Sequence, residues 1–271
     1  MKNDKWDARI HRAAELASTH APASEGLRFY GHIAQSQKSL YSEIQAACGT
    51  EKEPRPLGSL RQELDLFLLL PRFAPFLAVV EKHAPASLSQ SAAGMRSQGA
   101  TLWQESLTEF WNAIPNAPAN LSPPEALISW IFLQPYAQYL ADHTQYFFPT
   151  GTPSVCSLCS AKPQVGVLRP EGDGAKRSLI CSLCATEWDF RRLVCPSCGE
   201  EDVHKLAVYS AKEFGYVRVE ACDTCHSFLN TVDLTKNGNA IPVVDELATI
   251  PLSLWAAEQG YAKIQPNILG I

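Results

Sequence analysis

The chain has 271 residues, 46% of them hydrophobic, and a formal net charge of −5. That is enough apolar material for a real core in two ordinary domains or one large one. The acidic balance, with a pI near 5.8, excludes a broad basic surface for nucleic acid or anionic lipid.

The first stretch, MKNDKWDARIHRAAELA, is polar and charged and has no continuous apolar segment, so no signal peptide is expected. In 25–46, Leu27, Tyr30, Ile33, Ala34, Leu40, Tyr41 and Ile44 recur at helical steps. A second helix is expected from about Ser59 to Leu70, capped by Ser59 with Glu63 close behind. The most apolar run, 64–80, is interrupted by Pro71, Arg72 and Pro75 and falls short of a membrane span. Further helices are predicted over about 101–113 and 124–143. Pro123 and Pro124 open the latter, and Pro135 is expected to kink or split it. Proline-containing connections at 54–56, 71–75 and 115–124 separate these helices. Trp103 and Trp111 fit a helix stripe and are expected in the core. Residues 1–150 therefore read as an all-α domain, with Cys48 as a small buried or half-buried helix residue.

After Pro149 the pattern shifts to short β-prone runs. PQVGVLRP and KRSLIC flank the turn EGDG; HKLAVYS and YVRVEAC flank AKEFG; both pairs predict hairpins. ATEWDFRRLV and HSFLNTVDL each follow a cysteine pair and read as third strands, and His204 falls in a strand. The tail from Asp245 predicts a short amphipathic helix through Leu252, Trp255 and Ala256, ending at Gly260. The fold class is α+β. An all-α domain (1–150) precedes two tandem rubredoxin-like or zinc-ribbon modules (151–193 and 194–236) and a tail with a short helix (237–271).

Eight of the nine cysteines form Cys-x-x-Cys pairs: Cys156/Cys159, Cys181/Cys184, Cys195/Cys198 and Cys222/Cys225. In a reducing compartment such clustered thiols hold metal rather than form disulfides. Residues 185–194 contain no Gly, Pro or Asn for a tight turn. If extended, they span roughly 30 Å at about 3.3 Å per residue, too far for Cys184 and Cys195 to share one ion. Sequential pairing follows, with Cys156, Cys159, Cys181 and Cys184 in site one and Cys195, Cys198, Cys222 and Cys225 in site two. The two units repeat knuckle, hairpin, knuckle and strand, which suggests an internal duplication. A Cys₄ set leaves no open position, so the sites read as structural rather than catalytic. Soft thiolates admit iron or zinc. His226, next to Cys225, is expected to stand outside the ligand set. Glu187, Trp188, Arg191 and Arg192 form either an ordinary strand or a partner-docking edge.

The ordered segments CSLCATEWDFRRLVCPSCGE, VEACDTCHSFLNTVDL, DELATIPLSLWAAEQGY and QPNILGI resemble the formate dehydrogenase accessory proteins, the FdhE family. The likeness covers about 155–271; the first 150 residues are similar only as a helical domain of comparable size. The family's first knuckle is usually followed by glycine, where this chain has Ser160. The resemblance implies a cytoplasmic, non-enzymatic maturation factor with chaperone character. Its partner would be the catalytic subunit of formate dehydrogenase, and its Cys₄ sites would be associated with iron. Two other functions compete on residues alone: a zinc-ribbon nucleic-acid binder and a rubredoxin-like electron carrier. Residues 151–233 carry nine Lys/Arg against eleven Asp/Glu, the wrong balance for phosphate. A 150-residue helical domain is more than an electron carrier needs. No membrane insertion is expected, and self-association is left open.

Overall fold

The computed structural model describes residues 4–54, 59–145 and 153–271. The expected boundary at 150/151, the connection at 55–56 and the side chain of Ser59 lie outside the described residues. The helical half runs α1 (Asp4–Thr19), α2 (Ser24–Cys48), α3 (Leu66–His83), α4 (Ala86–Gln98), α5 (Ala100–Ala113) and α6 (Pro123–Asp142). Two short parallel strands, β1 (Glu53–Pro54) and β2 (Thr144–Gln145), tie the end of α2 to the end of α6.

Several local expectations are corrected. The second helix does not begin at Ser59. A 3-10 turn occupies Ser59–Gln62, and α3 starts only after Asp65, whose carboxylate accepts from Leu68 N at 3.0 Å. Pro71 and Pro75 lie inside α3 rather than in a connection. An interior proline costs about 3 kcal/mol. The same helix buries Leu69, Phe73, Phe76, Leu77 and Val80, each worth about 1.5–3 kcal/mol, so burial outweighs the prolines. Helix α6 likewise runs unsplit through Pro135. The proline ring removes the donor for the Ile131 carbonyl four residues earlier. Gln37, buried on α2, supplies a replacement, its Nε2 donating to Ile131 O at 2.7 Å. Cys48 closes α2 and is exposed, not buried. Burial of part of its surface and the nearby Asp65 charge push its thiol pKa up, the opposite of an activated cysteine.

Helices α1 and α4 escaped the periodicity reading. The buried face of α1 is Trp6, Ala13, Leu16 and Ala17, and that of α4 is Leu88, Ala92 and Met95. Alanines carry much of both faces, and they stand out little among charged or serine neighbours.

The remaining half is built on β3 (Pro163–Glu171), β4 (Gly174–Cys181), β5 (Glu187–Asp189), β6 (Leu206–Ser210), β7 (Val217–Cys222) and β8 (Ser227–Asp233). Helices α7 (Pro242–Ala248) and α8 (Ile250–Glu258) and strand β9 (Ala262–Lys263) follow. Both predicted hairpins form, β3–β4 and β6–β7. The third strands differ. β8 matches the expectation, but only Glu187–Asp189 of 185–194 is strand. The reason is Arg177: its Nη1 donates to Arg191 O at 2.9 Å and to Val194 O at 3.4 Å, and its guanidinium lies 5.1 Å from the Phe190 ring. The chain therefore turns around a buried cation instead of running straight. His204 sits in a 3-10 turn capped by Asp202, not in a strand.

The two hairpin units share one sheet, ordered β5-β4-β3-β8-β7-β6. The join is a parallel pairing of β3 with β8, in which Gly166 faces Thr231. A side chain at Gly166 would collide with Thr231 Oγ1, so close strand approach requires glycine here. Strand β9 pairs with β8 at Ser227 and Phe228, at the start of the strand, before the β3 pairing at 231–233.

The tail holds the halves together. Asp245, fully buried on α7, receives Arg12 of α1 (Nη2 at 2.6 Å, Nε at 3.0 Å), Tyr216 OH at 2.8 Å and Ile241 N at 2.7 Å. The hydrogen bond to Asp245 raises the Arg12 pKa further. Buried Glu246 pairs with Lys263 and accepts from Asn267 Nδ2 at 3.0 Å. Gly260, with φ 86°, follows the end of α8 as expected. Among the described residues, no helix is long and apolar enough to cross a membrane.

Candidate metal centres

Strand register brings the thiols together. In the first unit Pro163 pairs with Cys181, and in the second Leu206 pairs with Cys222. Each ladder therefore sets the knuckle before its first strand beside the knuckle after its second.

The result is two separate groups: Cys156, Cys159, Cys181 and Cys184, then Cys195, Cys198, Cys222 and Cys225. Within each group all sulfurs lie within 4.8 Å of one another. In site one, Sγ of Cys156 and Cys184 are 3.6 Å apart, Cys159 and Cys181 3.3 Å, and Cys159 and Cys184 3.5 Å. In site two, Cys195–Cys225 and Cys198–Cys222 are both 3.7 Å. A tetrahedron with metal–sulfur bonds of about 2.3 Å has edges of about 3.8 Å, whereas a disulfide needs about 2.05 Å. The donor sets therefore fit a Cys₄ metal ion such as zinc or iron.

The knuckles share one backbone device. The residue after the second cysteine of every pair is left-handed: Ser160 (φ 62°), Ala185 (φ 55°), Gly199 (φ 77°) and His226 (φ 51°). Only Gly199 adopts this freely; the other three accept about 1 kcal/mol or more of strain each. The turn lets Ser160 N reach Cys156 O at 2.8 Å and Gly199 N reach Cys195 O at 3.0 Å. It also points backbone N–H groups at sulfur: Leu183 N lies 3.4 Å from Cys181 Sγ and Ser197 N 3.4 Å from Cys195 Sγ. Such contacts favour the thiolate.

Without a cation the groups resist full ionisation. Hydrogen bonds from Cys159, Cys181 and Cys184 hold the Cys156 thiol well below its ordinary pKa, while burial pushes Cys181 and Cys184 well above theirs. In site two burial pushes Cys195 and Cys198 up. Burial also raises Cys225, but hydrogen bonds from Ser227 and Cys198 outweigh it and leave the thiol at about 7. A bound divalent ion supplies the charge that lets all four ligands ionise.

The surroundings of the two sites differ. All four site-one cysteines are buried, and their cluster is continuous with the core of the helical half. Gln134 of α6 donates to Ser182 O at 2.8 Å, inside the second knuckle. Arg61, whose pKa burial lowers and the Cys159 charge raises, brings a cation from the helical half. In site two Cys198 is exposed and Cys225 half-buried. Glu200 staples its two knuckles, accepting from Thr224 Oγ1 at 2.5 Å and from Asp202 N at 2.9 Å. These bonds hold the Glu200 carboxyl down at about 2.

The other candidates fall outside both ligand sets. His226 is exposed, with its ring 6.2 Å from Tyr261. Trp188 is buried, its Nε1 donating to Pro153 O at 3.1 Å, and Glu187 pairs with Arg169 at 2.7 Å. Arg191 is exposed and paired with Glu201 at 2.7 Å. Trp111 is fully buried and Trp103 partly so. Sequence reasoning missed Arg177. Its Nη2 meets Glu220, and Arg218 Nη2 reaches the same carboxylate at 2.6 Å. A basic residue in a run as apolar as KRSLIC was the available signal.

Residues 155–192 match the family model described as FdhE, central domain, and residues 193–269 match FdhE, C-terminal domain. A curated relative from Aquifex aeolicus named "Protein FdhE homolog" is 27% identical, over 100% of this chain and 97% of its own length. One of the same name from Haemophilus influenzae is 28% identical, over 95% and 85%. The crystal structure of the FdhE protein from Pseudomonas aeruginosa shares the fold, with a TM-score of 0.73 at 23% identity, covering 98% of this chain and 96% of that one. Both FdhE models match in order after residue 154 and these relatives match along most of their length, so the likeness to the FdhE family runs the length of the chain.

Proposed function

We propose that this protein is a cytoplasmic accessory factor for the maturation of formate dehydrogenase, binding the enzyme's catalytic subunit and having no turnover of its own. In this reading the eight paired cysteines are ligands to two metal ions, iron or zinc, one in each module (151–193 and 194–236). The helical domain (1–150) and the tail (237–271) form the frame. The observation that carries the reading is the pair of closed Cys₄ sets in a chain that matches both FdhE models in order. Four protein ligands per ion leave no position for a substrate, which favours a binding role. The acidic chain and the rigid shared sheet suit a docking surface for another protein.

The test is co-purification from cytoplasm with a tagged catalytic subunit of formate dehydrogenase, alongside elemental analysis and a strain lacking this protein. Capture of the subunit, about two metals per chain and loss of formate dehydrogenase activity in the deletion strain are expected. No capture together with full activity in that strain would refute the accessory role. Truncation before Asp245 is a poor binding test, because Asp245 and Glu246 are buried structural groups.

A further inference from the structure

The two Cys₄ sets are alike in ligands but differ in access. Site one is enclosed: Cys156, Cys159, Cys181 and Cys184 are each at most 3% exposed, and Leu158 and Leu183 between them are fully buried. Any incoming ligand must wait for the main core to open locally. Site two presents Cys198 to solvent and Cys225 partly so.

A second feature points the same way. A cavity of about 150 Å³ opens beside site two, with Cys195 and Cys222 in its wall. Arg177, Arg192, Arg218 and Glu220 also line it. The single carboxylate of Glu220 is shared between Arg177 and Arg218. Arg192 is exposed and has no ion pair among the described residues, and the buried Arg177 Nε has no hydrogen-bond partner. Three guanidinium groups against one carboxylate offset the negative charge of a metal-loaded Cys₄ set beside them. An anion entering the cavity meets guanidinium groups rather than bare thiolate charge, and it reaches the sulfurs of Cys195 and Cys222.

We propose that site two is a metal-exchange site and site one a fixed structural one, and that the arginine-lined cavity admits the anionic ligand that drives exchange. The inference rests on the metal-binding part of the function proposed above. An incoming thiolate or chelator donor forms a bond to the ion as the bond to Cys198 Sγ breaks. The electron pair stays on that sulfur, which leaves as a thiolate and takes a proton from water. The oxidation state of the ion does not change. Arg192 acts as a positioning residue for the incoming anion, not as a ligand.

The test uses the full chain loaded with zinc. Zinc content is measured first, and no bound zinc would sink the metal reading itself. Two zinc ions per chain, challenged with the anionic chelator 4-(2-pyridylazo)resorcinol, should leave in two equal phases. The first should be about tenfold faster or more, because release from the buried site needs a local opening of the core. Iodoacetamide labelling followed by mass spectrometry should find Cys198 and Cys225 modified during the fast phase and the site-one cysteines only during the slow one. Arg192→Ala, at an exposed position, should slow the fast phase with the anionic chelator and leave it unchanged with neutral 1,10-phenanthroline. Release in a single phase, or labelling that begins at site one, overturns the proposal. An equal effect of Arg192→Ala on both chelators overturns the role of the cavity.

Discussion

The first metal module and the second follow one plan, a knuckle, a hairpin, a second knuckle and a third strand, yet they are stabilised differently. In the first, the cysteines and Trp188, Phe190 and Val194 belong to the same buried cluster as Trp111, Phe132 and Leu140 of the helical half. In the second, Val217, Val219, Ala221 and Phe228 pack with Val165, Val167, Ala240, Leu252 and Ala256 in a smaller core of their own. The same ligand chemistry thus serves as part of a large core in one place and as a surface fixture in the other. A Cys₄ motif reveals its donors but not what depends on them.

The sharpest way to break that comparison is to remove one ligand at a time. Cys181→Ser should empty site one, leave site two loaded and destabilise the helical half, with a loss above about 4 kcal/mol. Cys222→Ser should also leave one metal per chain, but with the helical half intact. Elemental analysis and far-UV circular dichroism melts would check both variants, and equal melting losses would erase the distinction.

Next in size is Glu220→Gln, which leaves Arg177 and Arg218 facing a neutral partner. Breaking a buried pair costs about 3–5 kcal/mol, and the Glu220 side chain is only 12% exposed. Burial opposes its ionisation, but the two arginines prevail and hold its pKa below the ordinary 4.5. The stabilisation is therefore complete above about 4.5 and is lost as pH falls through the lower folded value. Urea titrations should show the gap between wild type and variant shrinking across that acid window; a constant gap would argue that packing, not charge, is responsible.

Gly166→Ala probes the seam between modules and should cost about 1–3 kcal/mol, because the new methyl meets Thr231 in a closely packed pairing. Thermal unfolding of the metal-loaded chain would measure it. The smallest effect is expected at Arg191→Ala. The Arg191–Glu201 pair is exposed on both sides, so stability should change by under about 1 kcal/mol. If the 187–192 edge touches the partner at its rim, binding weakens by under about 1 kcal/mol, whereas a central contact costs about 2 or more. Affinity for the tagged catalytic subunit separates the two cases.

What the sequence made legible follows the range of the interactions. Both hairpins could be read because strand and turn signals are local, and the donor sets stood out because Cys-x-x-Cys pairs are rare in a chain with one further cysteine. Glycine marks the left-handed turn at Gly199; its counterparts at Ser160, Ala185 and His226 carry no such compositional mark. The β3–β8 pairing joins residues more than sixty positions apart, and no local pattern announces it. The bend after Asp189 depends on Arg177, and the continuity of α6 on Gln37, each a contact made across the fold. Prolines at 71 and 75 misled for the same reason, since their local penalty was visible and the burial that offsets it was not.

The clasp between Arg12 and Asp245 has a consequence for the nascent chain. The two residues are 233 positions apart, so at about 5–20 residues per second the ribosome makes the arginine on the order of 10–50 s before its partner. Until then α1 lacks α7, Tyr216 and the buried carboxylate that its guanidinium needs. Ribosome-bound chains halted before Asp245 should be cut by protease within α1 more readily than chains carrying the full tail, and equal resistance would show that α1 docks without it. The helical half is synthesised first, but its first helix locks only when the last part of the protein emerges.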